Sequence, residues 1–130
     1  MKEKKNNSIE QKHTIVTLRD DGIMQFYFKD KTTLEVEMLK EALEATRILG
    51  GGKKFPNLIV GGDFITVSQG VREFAATKES NLYTIADAFV VKTMAEKLMV
   101  NFYITINHPP KPTRFFNNEE DALKWLKKFL

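Results

Sequence analysis

Hydrophobic periodicity switches between two residues and 3.6 residues several times along this chain, and that alternation is the strongest constraint on its fold. His13 to Arg19 and Ile23 to Phe28 are β-rich runs separated by Asp20-Asp21-Gly22, and Asp-Gly between such runs signals an antiparallel hairpin. Thr32-x-x-Glu35 then has capping-box spacing and opens a helix with Leu34, Met38, Leu39, Ala42, Leu43, Thr46 and Leu49 on one face. Gly50-Gly51-Gly52 stops it. Phe55 to Val60 reads as a strand covered on both faces, because Leu58 to Val60 is continuously apolar. A loop follows from Gly61 to Val67, and a second helix runs from Ser68 or Gln69 to about Asn81, burying Val71, Phe74 and Ala75.

Ile85 to Val91 is the next strand, and Thr93-x-x-Glu96 is a second capping box. The third helix runs to about Asn107 and buries Leu98, Met99, Phe102 and Ile106. The prolines of His108-Pro109-Pro110-Lys111-Pro112 end it, since each lacks a backbone donor. Thr113 to Phe116 is a short last strand. Asn117-x-x-Glu120 caps a fourth helix that turns Ala122, Leu123, Trp125, Leu126 and Phe129 inward. The order is ββαβαβαβα: an N-terminal hairpin, then alternating helices and strands. It implies an α/β fold with a mixed sheet that contains parallel pairs and has helices packed on it.

At 130 residues the chain holds one domain. Residues 1–12 read as a flexible polar tail and residues 13–130 as the domain. The chain has no Cys and two His, which excludes a disulfide framework, a cysteine nucleophile and a Cys/His zinc cluster. The net charge of +3 is split between Lys2/Lys4/Lys5 in the tail and Lys124/Lys127/Lys128 at the end of the last helix. Such a split gives no basic stripe for nucleic acid. No apolar run reaches the roughly 18 residues of a membrane span, and none follows the charged start as in a signal peptide. The expected location is the cytoplasm.

The element order resembles the SpoIIAA-like (STAS) fold, and more closely the small bacterial STAS/SEC14-like proteins of unknown function. The resemblance covers roughly residues 13–130. It rests on the hairpin, on Phe55-Pro56-x-Leu58-Ile59-Val60, on Val71-Arg72-Glu73-Phe74, and on Pro112-Thr113-x-Phe115-Phe116 with Glu119-Glu120-x-Ala122-Leu123-x-Trp125-Leu126. Anti-sigma-factor antagonists of this fold carry a phosphorylatable Ser in an Asp-Ser-Ser-Gly stretch at the start of the second helix. The matching stretch is Val67-Ser68-Gln69-Gly70, so Ser68 holds the acceptor place and Gly70 matches, while Val67 and Gln69 replace the Asp and the second Ser. The same Ser68 is also a ready helix N-cap.

No nucleophile, base and orienting group come together in a recognisable motif, so no catalytic residue, metal or cofactor is expected. His13 and His108 read as solvated. Gly50-Gly51-Gly52-Lys53-Lys54 follows a helix instead of preceding one, so it is a turn and not a phosphate loop. Two binding readings remain. The first is a non-enzymatic regulatory or interaction module that meets a protein partner around Gly61, Gly62, Asp63, Ser68, Gln69 and Gly70, off the C-terminal end of a central strand. The second is a small carrier or sensor of an apolar, lipid-like ligand in a cavity lined by Phe74, Phe89, Leu98 and Phe102. Consecutive aromatics (Phe26-Tyr27-Phe28 and Phe115-Phe116) and a third helix that is apolar on more than one face leave a homodimer open.

Overall fold

A computed structural model describes residues 3–5 and 7–130. Seven strands form one sheet in chain order: β1 (Glu3–Lys5), β2 (Ser8–Glu10), β3 (Thr14–Leu18), β4 (Met24–Phe28), β5 (Phe55–Gly61), β6 (Thr84–Val90) and β7 (Thr113–Phe116). The first four pair antiparallel. From β4 to β7 every pair is parallel. The four helices are α1 (Val36–Gly50), α2 (Gln69–Ala75), α3 (Met94–Phe102) and α4 (Glu119–Leu126). The α/β fold with a mixed sheet and an N-terminal hairpin, expected from the alternation of periods, is the observed one.

The expected tail is corrected in part. Ser8–Glu10 pairs with β3, and Ile9 opposite Val16 is only 4% exposed, because its side chain joins Met24, Ala42 and Ala45 under α1. Gln11 is buried as well and donates to the Glu41 carbonyl of α1 at 2.8 Å. A polar composition hid one inward residue per two, which is all a strand covered on one face needs. Met1, Lys2 and Asn6 lie outside the described residues.

The strand pleat divides the core. On β5 and β6, Leu58, Val60, Ala86 and Ala88 face α4, where they pack with Ile23, Ala122 and Leu126. Asn57, Ile59, Asp87 and Phe89 alternate with them and face the other side, toward α1, α2 and α3. The two central strands are therefore covered on both faces, which explains their near-continuous apolar runs.

Caps set the helix starts. Ser68 accepts a bond from the Val71 N–H, and Thr93 forms a complete capping box with Glu96. The fourth helix is capped by Asn118 and not by Asn117; its side chain accepts from the Asp121 N–H at 2.8 Å. The expected Thr32–Glu35 box does not form. Thr32 is buried and its hydroxyl donates to the Lys29 carbonyl, while Thr33 bridges to Thr66, so the segment is held extended and α1 starts after Glu35. Gly51 ends α1 at φ 64°, the left-handed conformation a C-terminal cap requires. The second helix stops early, at Ala75, because Asn81 Nδ2 takes up the Ala75 and Thr77 carbonyls. The third continues as a π-helical turn over Tyr103–Asn107.

Candidate functional site

Between the sheet and the three helices α1–α3 lies a cavity of about 160 Å³. Phe26, Phe28, Ile59 and Phe89 form its floor, and Leu39 and Leu43 of α1 form part of its roof. Polar side chains gather on one stretch of the wall. Asn57 and Asp87 are register partners on neighbouring parallel strands, so the pleat points both into the same space. Asn57 Nδ2 donates to Asp87 Oδ1 at 2.9 Å and to Thr84 Oγ1 at 3.0 Å. Facing a carboxylate, that end of the amide has to be the nitrogen. The other end, Oδ1, is buried without a hydrogen-bond partner among the described residues.

Lys111 closes the cluster. It sits between Pro110 and Pro112, and the Pro112 carbonyl accepts from the Asp87 N–H at 2.9 Å, which fixes the strap beside β6. Its Nζ lies 3.0 Å from Asp87 Oδ2, donates to Asn81 Oδ1, and approaches the Tyr103 hydroxyl at 3.4 Å. All three ammonium protons are thus used. Burial first, and then the Asp87 carboxylate, push the Tyr103 phenol well above its ordinary pKa, so it stays neutral. Tyr103 is the first residue of the π-helical turn, and such turns recur at functional sites. Its ring also packs edge-on against Phe89, with centroids 6.1 Å apart.

A second polar group enters the cavity from α2. Arg72 lines it, and its Nε is buried with no partner. Nη1 reaches the Val67 carbonyl at a long 3.5 Å, and the guanidinium lies 5.0 Å from the centroid of the Phe102 ring.

The residues singled out in the sequence are distributed differently. Phe89 lines the cavity. Leu98 and Phe102 do not, being 63% and 46% exposed; α3 is turned so that Met99, Val100 and Tyr103 face inward. Phe74 lies outside the cavity, with Lys40 Nζ 5.7 Å from its ring centroid. The loop residues are divided between a braced turn and the start of α2. Gly61 accepts from Lys92 Nζ at 3.3 Å, Gly62 is packed on Asp30, and the Asp63 N–H donates to Asp30 Oδ1 at 2.8 Å. Gln69 bonds Glu73, and Ser68 and Gly70 are exposed. Asp63, also exposed, accepts through its carbonyl from the Lys31 N–H. Met94 and Leu98 leave an apolar row on the outer side of α3. Among the described residues no three metal-ligating side chains converge, and no helix is long and apolar enough to cross a membrane.

The sequence reading missed Asn57, Asp87, Arg72, Tyr103 and Lys111. The signal for the first two was present: Asn and Asp inside otherwise apolar strands must be buried, and buried polar groups need partners.

The family model for a domain of unknown function, DUF7793, matches residues 16–130, from the hairpin through α4. The chain belongs to the DUF7793 family. Among solved structures, this DUF7793 member is similar to an uncharacterized protein of the DUF3478 family with a SpoIIAA-like fold from Shewanella loihica PV-4. The TM-score is 0.60 at 17% identity, covering 90% of this chain and 97% of that one. The fold of the DUF7793 chain is therefore SpoIIAA-like. A protein of unknown function from Arthrobacter sp. FB24 aligns at 23% identity over 85% of this chain and 96% of that one, with a TM-score of 0.29. No curated protein matches the DUF7793 chain.

Proposed function

We propose that this SpoIIAA-like domain is a non-enzymatic binding module that holds one small amphipathic molecule between the sheet and α1–α3. The observation that carries the reading is a largely apolar cavity with Asn57, Asp87 and Lys111 gathered on one stretch of its wall, where Asn57 Oδ1 is a buried acceptor without a partner. An unpaired buried acceptor costs about 1–3 kcal/mol, and a ligand donor placed there removes that cost. Sites of this composition, apolar with a few convergent polar groups, are the usual form of small-molecule pockets. The volume supports a ligand body of single-ring size, since an apolar cavity of about 150 Å³ accommodates benzene. That is far smaller than a lipid with long acyl chains.

The non-enzymatic part rests on how the polar groups are spent. Lys111 and both Asp87 oxygens are engaged by protein partners, which supports a pair that orients Asn57. The protein-partner reading around residues 61–70 has less support, because Gly62 and Asp63 brace a turn and Ser68 caps α2.

The test uses phenol, whose ring matches the cavity and whose hydroxyl can donate to Asn57, with toluene as the apolar control. Amide and methyl NMR spectra are recorded during each titration. Phenol is expected to shift Ile59, Phe89 and Tyr103, more tightly than toluene. If neither probe perturbs these residues at millimolar concentration, the reading fails.

A further inference from the structure

The charges around the cavity are unequal. Its charged lining residues are Arg72, Asp87 and Lys111, and the last two form an ion pair. Arg72 is left over. Among the described residues no carboxylate lies within ion-pair distance of it, and the adjacent Glu73 is engaged by Gln69 at 2.8 Å. Its Nε is buried and unbonded, its one hydrogen bond is long, and its guanidinium carbon lies 5.0 Å from the centroid of the Phe102 ring.

Arg72 as a whole is half-buried, and its buried Nε–H is a donor that is costly to leave without an acceptor. The planar fork of a guanidinium presents Nε–H and one Nη–H side by side, which matches the two oxygens of a carboxylate.

We propose that the ligand of this cavity is a small carboxylate with a single-ring or similarly compact body that also carries a donor for Asn57, its carboxylate held by Arg72 and its body against Ile59 and Phe89. This assignment rests on the binding-module reading and adds the ligand's charge. A neutral or cationic molecule of the same shape leaves the Arg72 Nε unpaired or repels it.

Isothermal titration with benzoate, benzamide and toluene, at low and at moderate salt, tests the assignment. Benzoate is expected to bind at least about tenfold more tightly than benzamide, the advantage of a charge-assisted pair over a neutral one. Arg72→Met should abolish that preference, leaving benzoate and benzamide to bind within about twofold of each other. Arg72→Lys, which keeps the charge but loses the fork, should retain part of the preference. Thermal unfolding of each variant checks that it is folded. Benzamide binding as well as benzoate, with toluene still bound, overturns the carboxylate assignment and leaves the binding module standing. Failure of all three probes overturns both.

Discussion

Lys111 and Asp87 form an ion pair of 3.0 Å whose side chains are only 6% and 8% exposed. The pair joins the Pro-flanked strap after α3 to the central strand β6. Breaking a buried pair leaves one charge unpaired in a low-dielectric site, at a cost of about 3–5 kcal/mol. Lys111→Met alone is expected to lose stability of that order in urea unfolding. The double variant Lys111→Met/Asp87→Asn should recover a large part of it, because no charge is then left buried. A double variant no more stable than Lys111→Met would mean that the strap is held by its prolines and not by the pair.

Tyr103 gives the pair a signature in pH. Burial and the Asp87 carboxylate raise the phenol's pKa in the folded protein above its ordinary value near 10. A raised folded pKa contributes stability that is fully present below the unfolded value and is lost as pH rises through the folded one. The melting temperature of the wild type should therefore fall above about pH 10. Tyr103→Phe, which has no proton to lose, should show a shallower alkaline fall. Equal slopes for the two proteins would remove Tyr103 from the account.

What was legible in the sequence was local. The Asp-Gly hairpin, the Ser68 cap and the Thr93–Glu96 box each need only a few adjacent residues, and all three form. The Thr32–Glu35 box has the same spacing and does not form, because the Thr33–Thr66 bridge, set by a segment 33 residues away, holds the chain extended. The cavity depended on such distant pairings throughout. Asn57 meets Asp87 only through the parallel register, and Lys111 reaches Asp87 only after α3. Helix α3 is apolar on several sides, so its sequence does not say which side turns in. Leu98 and Phe102 are turned to the outside, and Tyr103 beside them faces the cavity.

Ser68 separates stability from recognition. Its hydroxyl accepts from the Val71 N–H at 3.3 Å, so Ser68→Ala should cost about 1 kcal/mol in thermal or urea unfolding. Ser68→Asp keeps an acceptor in the same place and is expected to be near wild type, since Asp is as good a cap as Ser. If Ser68→Asp proves as unstable as Ser68→Ala, the cap is not what the hydroxyl supplies.

Gly62 is required by its neighbours and not by its conformation. A Cβ built there runs into the Asp30 carboxylate, lies 2.9 Å from the Asp30 backbone nitrogen and 3.0 Å from the Tyr27 hydroxyl. The carboxylate could swing aside only by giving up its bond to the Asp63 N–H, and the backbone nitrogen cannot move without pulling on the turn after β4. Gly62→Ala is therefore expected to destabilise by about 1–3 kcal/mol through overpacking. Gly70→Ala is the control: at that helical position the nearest atom is Ser68 Oγ at an ordinary 4.0 Å. Ala is about 0.8–1 kcal/mol better than Gly inside a helix, so this variant should be neutral or more stable. Urea unfolding of both variants decides the point. A Gly62→Ala protein as stable as Gly70→Ala would show that the turn around Asp30 yields without cost.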